Sequence, residues 1–301
     1  MERISITKLH VEGLWNKYSF DLLFDDDVNI FSGINGVGKS TVIDIIWGLL
    51  SGIITQTYTV KKIQSAVLFL SNNAYISVVH NEEGIEYKTV LNDTEISREE
   101  LLQSLKLEGV ATFDAYHNKS EYIKEISDVN QFLVSDLDMI LNRWIARFHR
   151  YMTLIATFAS APKSAENKKT FSRLVTQLEV FKEKINLFLD DKIFSIDELG
   201  EIRFRLKNIE DTSLSVYDLS SGEKQLLILL ISMLCMRKEP GICISDEPEI
   251  SLHVSWQKQL ISVLREMNPN MQLIITTHSP SILYGGWQNR VVNLQDVINH
   301  G

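Results

Sequence analysis

An α/β fold with an antiparallel helical hairpin inserted between its halves is what this sequence predicts, and three observations carry the prediction. A glycine-rich loop lies between a short apolar run and a segment of helical length. Two short runs late in the chain, residues 241–245 and 272–277, have the unbroken apolar character of strands buried on both faces. In the middle, from about Lys119 to Asp191, strand-like alternation gives way to apolar residues spaced three and four apart, the period of packed helices.

In chain order, residues 3–9 and 18–24 have strand length and predict a hairpin broken around Gly13. After three consecutive acids, Asp25 to Asp27, residues 28–31 form a strand that stops at Gly33, and residues 41–50 follow as a helix. Residues 74–79 and 85–91 predict a second hairpin about a turn at 81–84. In the helical stretch Leu141, Ile145, Phe148, Met152, Ile155 and Ala159 make one heptad-like stripe; Phe171, Leu174, Leu178, Phe181, Ile185 and Phe188 make another. The turn at 161–164 is short enough to force the two helices antiparallel. Strand character returns from Ile193, as in residues 202–206, followed by a helix that opens at Leu219 and runs through Met236. No repeat or linker interrupts this order. The predicted division is therefore residues 1–118 and 193–301 as two halves of one α/β domain, with 119–192 as the helical insertion.

Composition narrows the function classes. The 301 residues are 45% hydrophobic with a net charge of −9, which excludes a general polycation that coats nucleic acid; an anionic partner must be held locally. No run of 18 apolar residues occurs, and Met1 to Ser5 lacks a basic region leading into an apolar core, so neither a membrane span nor a secretory signal is expected. Cys235 and Cys243 sit in apolar segments without metal-ligand spacing and read as buried free thiols of a cytoplasmic protein.

Three motifs carry chemistry. Gly33-Ile34-Asn35-Gly36-Val37-Gly38-Lys39-Ser40 fits a phosphate-binding loop in its required place between strand and helix. Its glycines let backbone N–H groups face phosphates, the helix N-terminus adds positive potential, Lys39 reaches the terminal phosphates, Ser40 ligates Mg²⁺, and Thr41 joins the contacting set. The apolar strand at 242–245 ends in Asp246-Glu247, where Asp246 can hold Mg²⁺ and Glu247 can polarise an attacking water. Leu219-Ser220-Ser221-Gly222-Glu223 opens a helix whose first turn offers N–H groups to an anion; alone, it reads equally as a helix start with an N-cap serine. Its position adds meaning: Asp246 follows Ser220 by 26 residues, and His278 follows Asp246 by 32.

Those elements in that order resemble an ATP-binding-cassette (ABC) ATPase head of the P-loop NTPase class: phosphate loop (Walker A) 33–40, signature 219–223, acidic pair Asp246-Glu247 and switch His278. The resemblance implies two ATP molecules sandwiched between two heads. Each would be bound by one subunit's loop and by the other's Ser220 and Gly222, with His278 at the γ-phosphate. Lys39 and Ser220 are 181 residues apart, longer than a transporter cassette needs, and the surplus is the hairpin. The acidic pair continues as Pro248-Glu249-Ile250-Ser251-Leu252-His253, similar to the SMC, RecF and OLD-like branch of DNA-repair and phage-defence ATPases. His253 stands where many cassettes carry a D-loop aspartate, so that role does not transfer to it. No Q-loop glutamine is identifiable: residues 110–114 lead toward that region and Gln131 falls too late. Lys17 lies where the SMC-like group has a basic residue near the nucleotide, and it reads equally as a solvated turn residue.

Residues 141–184 hold nine Lys/Arg against three Glu, a surplus of six in an acidic protein. Arg143, Arg147 and Arg150 recur at helical spacing with Trp144 and Tyr151 adjacent, a face that suits a phosphate backbone or an acidic partner, or is simply solvated. Only 23 residues with one acid follow His278, so the Toprim nuclease of fused OLD-like proteins is not expected here. The reading is a cytoplasmic, Mg²⁺-dependent ATPase that forms an ATP-dependent homodimer or higher oligomer. It would control a separately encoded effector, a nuclease or toxin in antiviral defence. The alternatives are a RecF/SMC-like DNA-repair head that binds DNA directly and, against the motif spacing, a transporter subunit.

Overall fold

The computed structural model describes residues 4–51, 62–82, 84–97, 100–101, 110–113, 136–162, 164–209, 212–283 and 285–298. The strands are β1 (Ile6–Leu14), β2 (Tyr18–Leu23), β3 (Val28–Ser32), β4 (Ser65–Leu70), β5 (Ala74–Asn81), β6 (Gly84–Leu91), β7 (Thr94–Glu95), β8 (Val110–Phe113), β9 (Lys192–Ile196), β10 (Ile202–Leu206), β11 (Gly241–Asp246), β12 (Met271–Thr276) and β13 (Val291–Asn293). The helices are α1 (Lys39–Ser51), α2 (Asp136–Ser160), α3 (Ala165–Phe188), α4 (Ser221–Cys235), α5 (Val254–Met267), α6 (Pro280–Leu283) and α7 (Leu294–Ile298). Two compact units divide the chain: Met1–Phe113, Glu239–Pro248 and Asn270–Gly301 make one, and Asp114–Lys238 with Glu249–Pro269 make the other.

Among the described residues the first unit holds two sheets. One is antiparallel, in the order β2-β1-β4-β5-β6-β7. Its first hairpin turns at Trp15 and Asn16, both left-handed (φ 54° and 57°), which matches the twist of the flanking strands. The break expected at Gly13 is instead a bulge inside β1, where the pairing register with β2 shifts between Val11 and Leu14. β1 thus runs past residue 9 because Leu9, Val11 and Leu14 continue to face the core. β4, which the sequence reading missed, buries Ala66, Leu68 and Leu70 and joins the two predicted hairpins by pairing with β1 and β5.

The second sheet is parallel, in the order β13-β3-β12-β11-β8. Its register sets Asp246 beside Thr276 and Thr276 beside Phe31, so β11, β12 and β3 end together. α1 buries Val42, Ile45, Ile46 and Leu49 completely and packs against β4 and β5 of one sheet and β11 and β12 of the other. One core therefore serves both sheets. Gln272, fully buried, pins them further: its amide nitrogen donates to Ile6 O and Asp25 O and its oxygen accepts from Ile6 N, each at 2.8 Å.

The second unit is mainly helical. Ser164 caps α3, accepting from Asn167 N, and the short turn lays α3 back along α2. Tyr151 donates to Leu174 O at 2.8 Å, and the rings of Phe148 and Phe181 lie 6.0 Å apart. In α2 the fully buried stripe is Leu141, Trp144, Phe148 and Tyr151; Ile145, Met152 and Ile155 are half-buried and Ala159 is exposed. The heptad reading missed this because α2 packs on α4 as well as on α3, and a second neighbour shifts the buried stripe. Among the described residues of 152–173, none is fully buried. α4 buries every residue from Leu226 to Leu234, as a helix apolar on all sides must. β9 and β10 pair antiparallel, placing Phe194 against both Phe204 and Phe181. Among the described residues, no helix is long and apolar enough to cross a membrane.

Candidate functional site

The phosphate loop leaves β3 at Ser32 and enters α1 at Lys39. Gly33, Gly36 and Gly38 all have positive φ (149°, 82° and 105°), so side chains at these positions would strain the turn. Asn35 and Gly36 are exposed, and Ser40 and Thr41 are half-buried on the first turn of the helix. Val42 N bonds to Gly38 O at 2.9 Å, closing that turn. The N–H groups ahead of it are the usual orphan donors of a helix start.

Lys39 is only 5% exposed and curls back over the loop, donating to Gly33 O at 3.2 Å and Ile34 O at 3.5 Å. Its ammonium also bonds the imidazole of His278, with Nδ1 at 3.3 Å and Nε2 as a second partner. His278 Nε2 lies 3.1 Å from Glu247 Oε1. The ring lies between the Lys39 ammonium and the Glu247 carboxylate. The chain Lys39–His278–Glu247 thus joins residues from three separate segments at the common edge of β3, β11 and β12.

Thr276, which the sequence reading passed over, organises the acidic pair. Its hydroxyl donates to Asp246 Oδ1, and its carbonyl accepts from Glu247 N at 3.0 Å. Glu247 itself has φ 46°, a left-handed conformation uncommon for a non-glycine residue. That backbone twist is how two consecutive acids serve different partners, Asp246 turning to Thr276 and Glu247 to His278. No sequence signal short of the acidic pair's place at a strand end marks this geometry.

Mg²⁺, which the family resemblance implies, suits the oxygen donors present. Ser40 and Asp246 would hold it together with phosphate oxygens and water, the oxygen donors that Mg²⁺ takes. Among the described residues no cluster of three or more His, Cys, Asp or Glu exists for a metal caged by protein alone.

Ser220 and Gly222 belong to the other unit. Ser220 caps α4: its Oγ accepts from Glu223 N, and Glu223 returns a bond to Ser220 N at 2.8 Å. Gly222 lies so close to the chain at Ser251 that a Cβ there would fall 2.2 Å from the Ser251 carbonyl oxygen. His253 caps α5 through Ser255 N, a structural role in place of the D-loop aspartate's. Lys17 is exposed, with its ammonium 4.6 Å from the Tyr18 ring centroid. Trp15 in the same turn lies 3.6 Å from where a Gly38 Cβ would stand. Asp114 and Gln131 lie outside the described residues.

The basic hairpin face is less uniform than the sequence implied. Trp144 and Tyr151 are buried rather than displayed, and Arg147 stacks on Trp144 at 4.5 Å. Lys182 pairs with Glu179, and Lys184 with Glu183 and Glu266. Arg150, Lys168, Lys169 and Arg173 are exposed around the outer half of the hairpin.

A family profile described as "AAA domain, putative AbiEii toxin, Type IV TA system" matches residues 28–283, from the start of β3 past His278. The chain belongs to that family. It is 28% identical over 215 residues to "Retron Vc95 probable ATPase" of Vibrio cholerae serotype O1 biovar El Tor, covering 62% of this chain and 40% of that one. It is 32% identical over 159 residues to "Retron Ec83 probable ATPase" of Escherichia coli, covering 44% and 29%. To "Septu protein PtuA" of Bacillus thuringiensis it is 22% identical over 322 residues, covering 96% and 75%. The chain thus spans less than half the length of either retron relative. The SMC head solved bound to the C-winged helix domain of ScpA shares the fold, with a TM-score of 0.65 and 16% identity over 93% of this chain and 91% of that one. The SMC head with coiled coil and joint from Pyrococcus yayanosii gives 0.59 and 13%, covering 94% and 93%. The family member is an ABC-type, SMC-like AAA protein in fold.

Proposed function

We propose that this protein hydrolyses ATP and uses the nucleotide to bring two copies together, controlling a separately encoded effector, a nuclease or toxin, in cytoplasmic antiviral defence. The Lys39–His278–Glu247 chain at the mouth of the phosphate loop carries the ATPase reading. Gly33, Asn35, Gly36, Gly38, Lys39, Ser40 and Thr41 bind the phosphates, and Ser40 with Asp246 holds Mg²⁺, which would offset charge on the β- and γ-oxygens. Glu247 accepts a proton from the attacking water. His278, already bridging Lys39 and Glu247, senses the γ-phosphate. Ser220 and Gly222 complete the site of a partner copy, the hairpin of 119–192 being an insertion between halves 1–118 and 193–301. Support for the biological role comes from relatives named as retron ATPases and a Septu protein, and from a family description naming a toxin–antitoxin system.

Sedimentation with and without ATP, on wild type and on Glu247→Gln, tests the central claim. ATP should convert monomer to dimer, and the variant should hold the dimer because turnover no longer releases it. A chain that hydrolyses ATP while remaining monomeric sinks the reading.

A second reading, a DNA-repair head that binds DNA directly, is favoured by the exposed Arg150, Lys168, Lys169 and Arg173. Salt-dependent binding of duplex DNA by the isolated chain, lost when these four become Glu, would support it.

A further inference from the structure

We propose that Lys192 is a positioning residue of the signature, neutralising Glu223 so that the first turn of α4 can present Ser220 to a phosphate. This rests on the reading of Ser220 as a phosphate contact.

Glu223 is 6% exposed in the first turn of a helix, where a carboxylate is welcome to the helix but competes with any other anion for the same N–H groups. Its Oε2 accepts from Ser220 N and from Ser220 Oγ, both at 2.8 Å. The very serine meant for a phosphate is therefore held by a buried negative charge, and repulsion between that charge and a phosphate is poorly screened there. Lys192 answers it. Its ammonium lies 2.9 Å from Glu223 Oε1, the oxygen that Ser220 leaves aside, and its side chain is only 14% exposed.

Burial works against the Lys192 ammonium, but its bonds to Glu223 and Asp191 outweigh that, and the group stays charged above the ordinary lysine range. The pair is thus neutral as a unit, and the positive end of α4 remains available to an incoming anion. When a phosphate takes the Ser220 hydroxyl, Glu223 gives up one donor and keeps its counter-charge. Lys192 stands at the start of β9, four residues beyond the end of α3, so no motif around 219–223 points to it.

A second ion pair in the same turn supplies the control. Lys224 Nζ lies 2.8 Å from Asp138 Oδ1 on α2, an ion pair distinct from Lys192–Glu223. Were Lys192 only a brace for the turn, breaking the Asp138 pair would cost as much.

The test compares Lys192→Met, Lys192→Arg, Asp138→Asn, and Lys192→Met combined with Glu223→Gln. ATP affinity is read by calorimetry, turnover by phosphate release, and dimerisation by sedimentation. Lys192→Met should leave ATP affinity within about twofold but lower turnover and ATP-dependent dimerisation about tenfold, the scale of one charge-assisted bond. Lys192→Arg should restore both, and so should Glu223→Gln in the Met background, because removing the acid removes the need for the lysine. That double variant also answers the case in which Lys192→Met alone misfolds. Wild-type turnover in Lys192→Met, an equal loss in Asp138→Asn, or no rescue by Glu223→Gln overturns the proposal. Full turnover and dimerisation in Ser220→Ala would overturn the signature reading beneath it, an outcome separable from the others because it does not involve Lys192.

Discussion

The phosphate loop in one unit and the signature turn in the other both offer a helix N-terminus to an anion, but they are held by different means. The loop is shaped by backbone: three glycines at positive φ, with Lys39 bonded to carbonyls of the loop itself. The signature turn is shaped by side chains, a reciprocal Ser220–Glu223 cap compensated by Lys192, with Lys224 paired to Asp138. The loop can therefore tolerate little change in main-chain conformation. The signature turn is sensitive instead to charge, and its charges come from the base of the hairpin. Contacts that alter the hairpin have a direct route to Ser220, whereas the bonds described for Lys39 are to the loop's own carbonyls and to His278 of the same unit.

The largest expected effect breaks the loop's side of this contrast. Lys39→Ala removes the cation that offsets phosphate charge and should weaken ATP binding on the order of 100-fold or more, measured by calorimetry. Unchanged affinity would mean that the loop is not the nucleotide site. Glu247→Gln should bind ATP normally while hydrolysis falls about 10²- to 10⁴-fold, read by phosphate release, because the amide cannot take the water's proton.

Ser220→Arg addresses the signature's side. ATP should still bind, but ATP-stabilised dimers and turnover should be lost. Mixed with Lys39→Ala chains it should recover at most about half of the activity, since a heterodimer has one site with both lesions and one with neither. Wild-type turnover by a Ser220→Arg chain that stays monomeric would show that loop and signature do not act across copies.

Gly222→Ala is a milder probe of how the signature turn packs. A Cβ placed 2.2 Å from the Ser251 carbonyl oxygen must displace backbone, so stability should fall by about 1–3 kcal/mol in denaturant unfolding, while ATP affinity at the loop is unchanged.

The smallest effect separates the two units by their cysteines. Burial pushes the Cys243 thiol in β11 and the Cys235 thiol at the end of α4 up to about 12. Cys243 is fully buried and Cys235 half-buried, so a thiol reagent at neutral pH should modify Cys235 first and Cys243 only as the first unit opens. Because both folded values are raised from 9.0, the stability involved is whole below pH 9.0 and is lost as pH rises from there through about 12. Equal labelling rates in the native protein would contradict the different burial of the two sites.

The sequence by itself determined the features whose partners are close along the chain. The loop at 33–40 follows from the glycine spacing, an N-cap serine from the helix start at 219–223, and the hairpin turn from a short break between two periodic runs. Each is settled within one or two helical turns, where chain connectivity keeps the partners near. Tertiary structure alone decided what those features touch. Lys39 meets His278 across 239 residues because β3 and β12 pair in parallel, and Glu247 reaches the same histidine because β11 takes the next place in the sheet. Likewise Lys192 meets Glu223, and Trp144 is buried rather than displayed, because α2 and α3 pack against α4 while β9 packs against α3. Pairing order and helix neighbours are set by burying apolar surface from many segments at once, and no local spacing records which segments those will be.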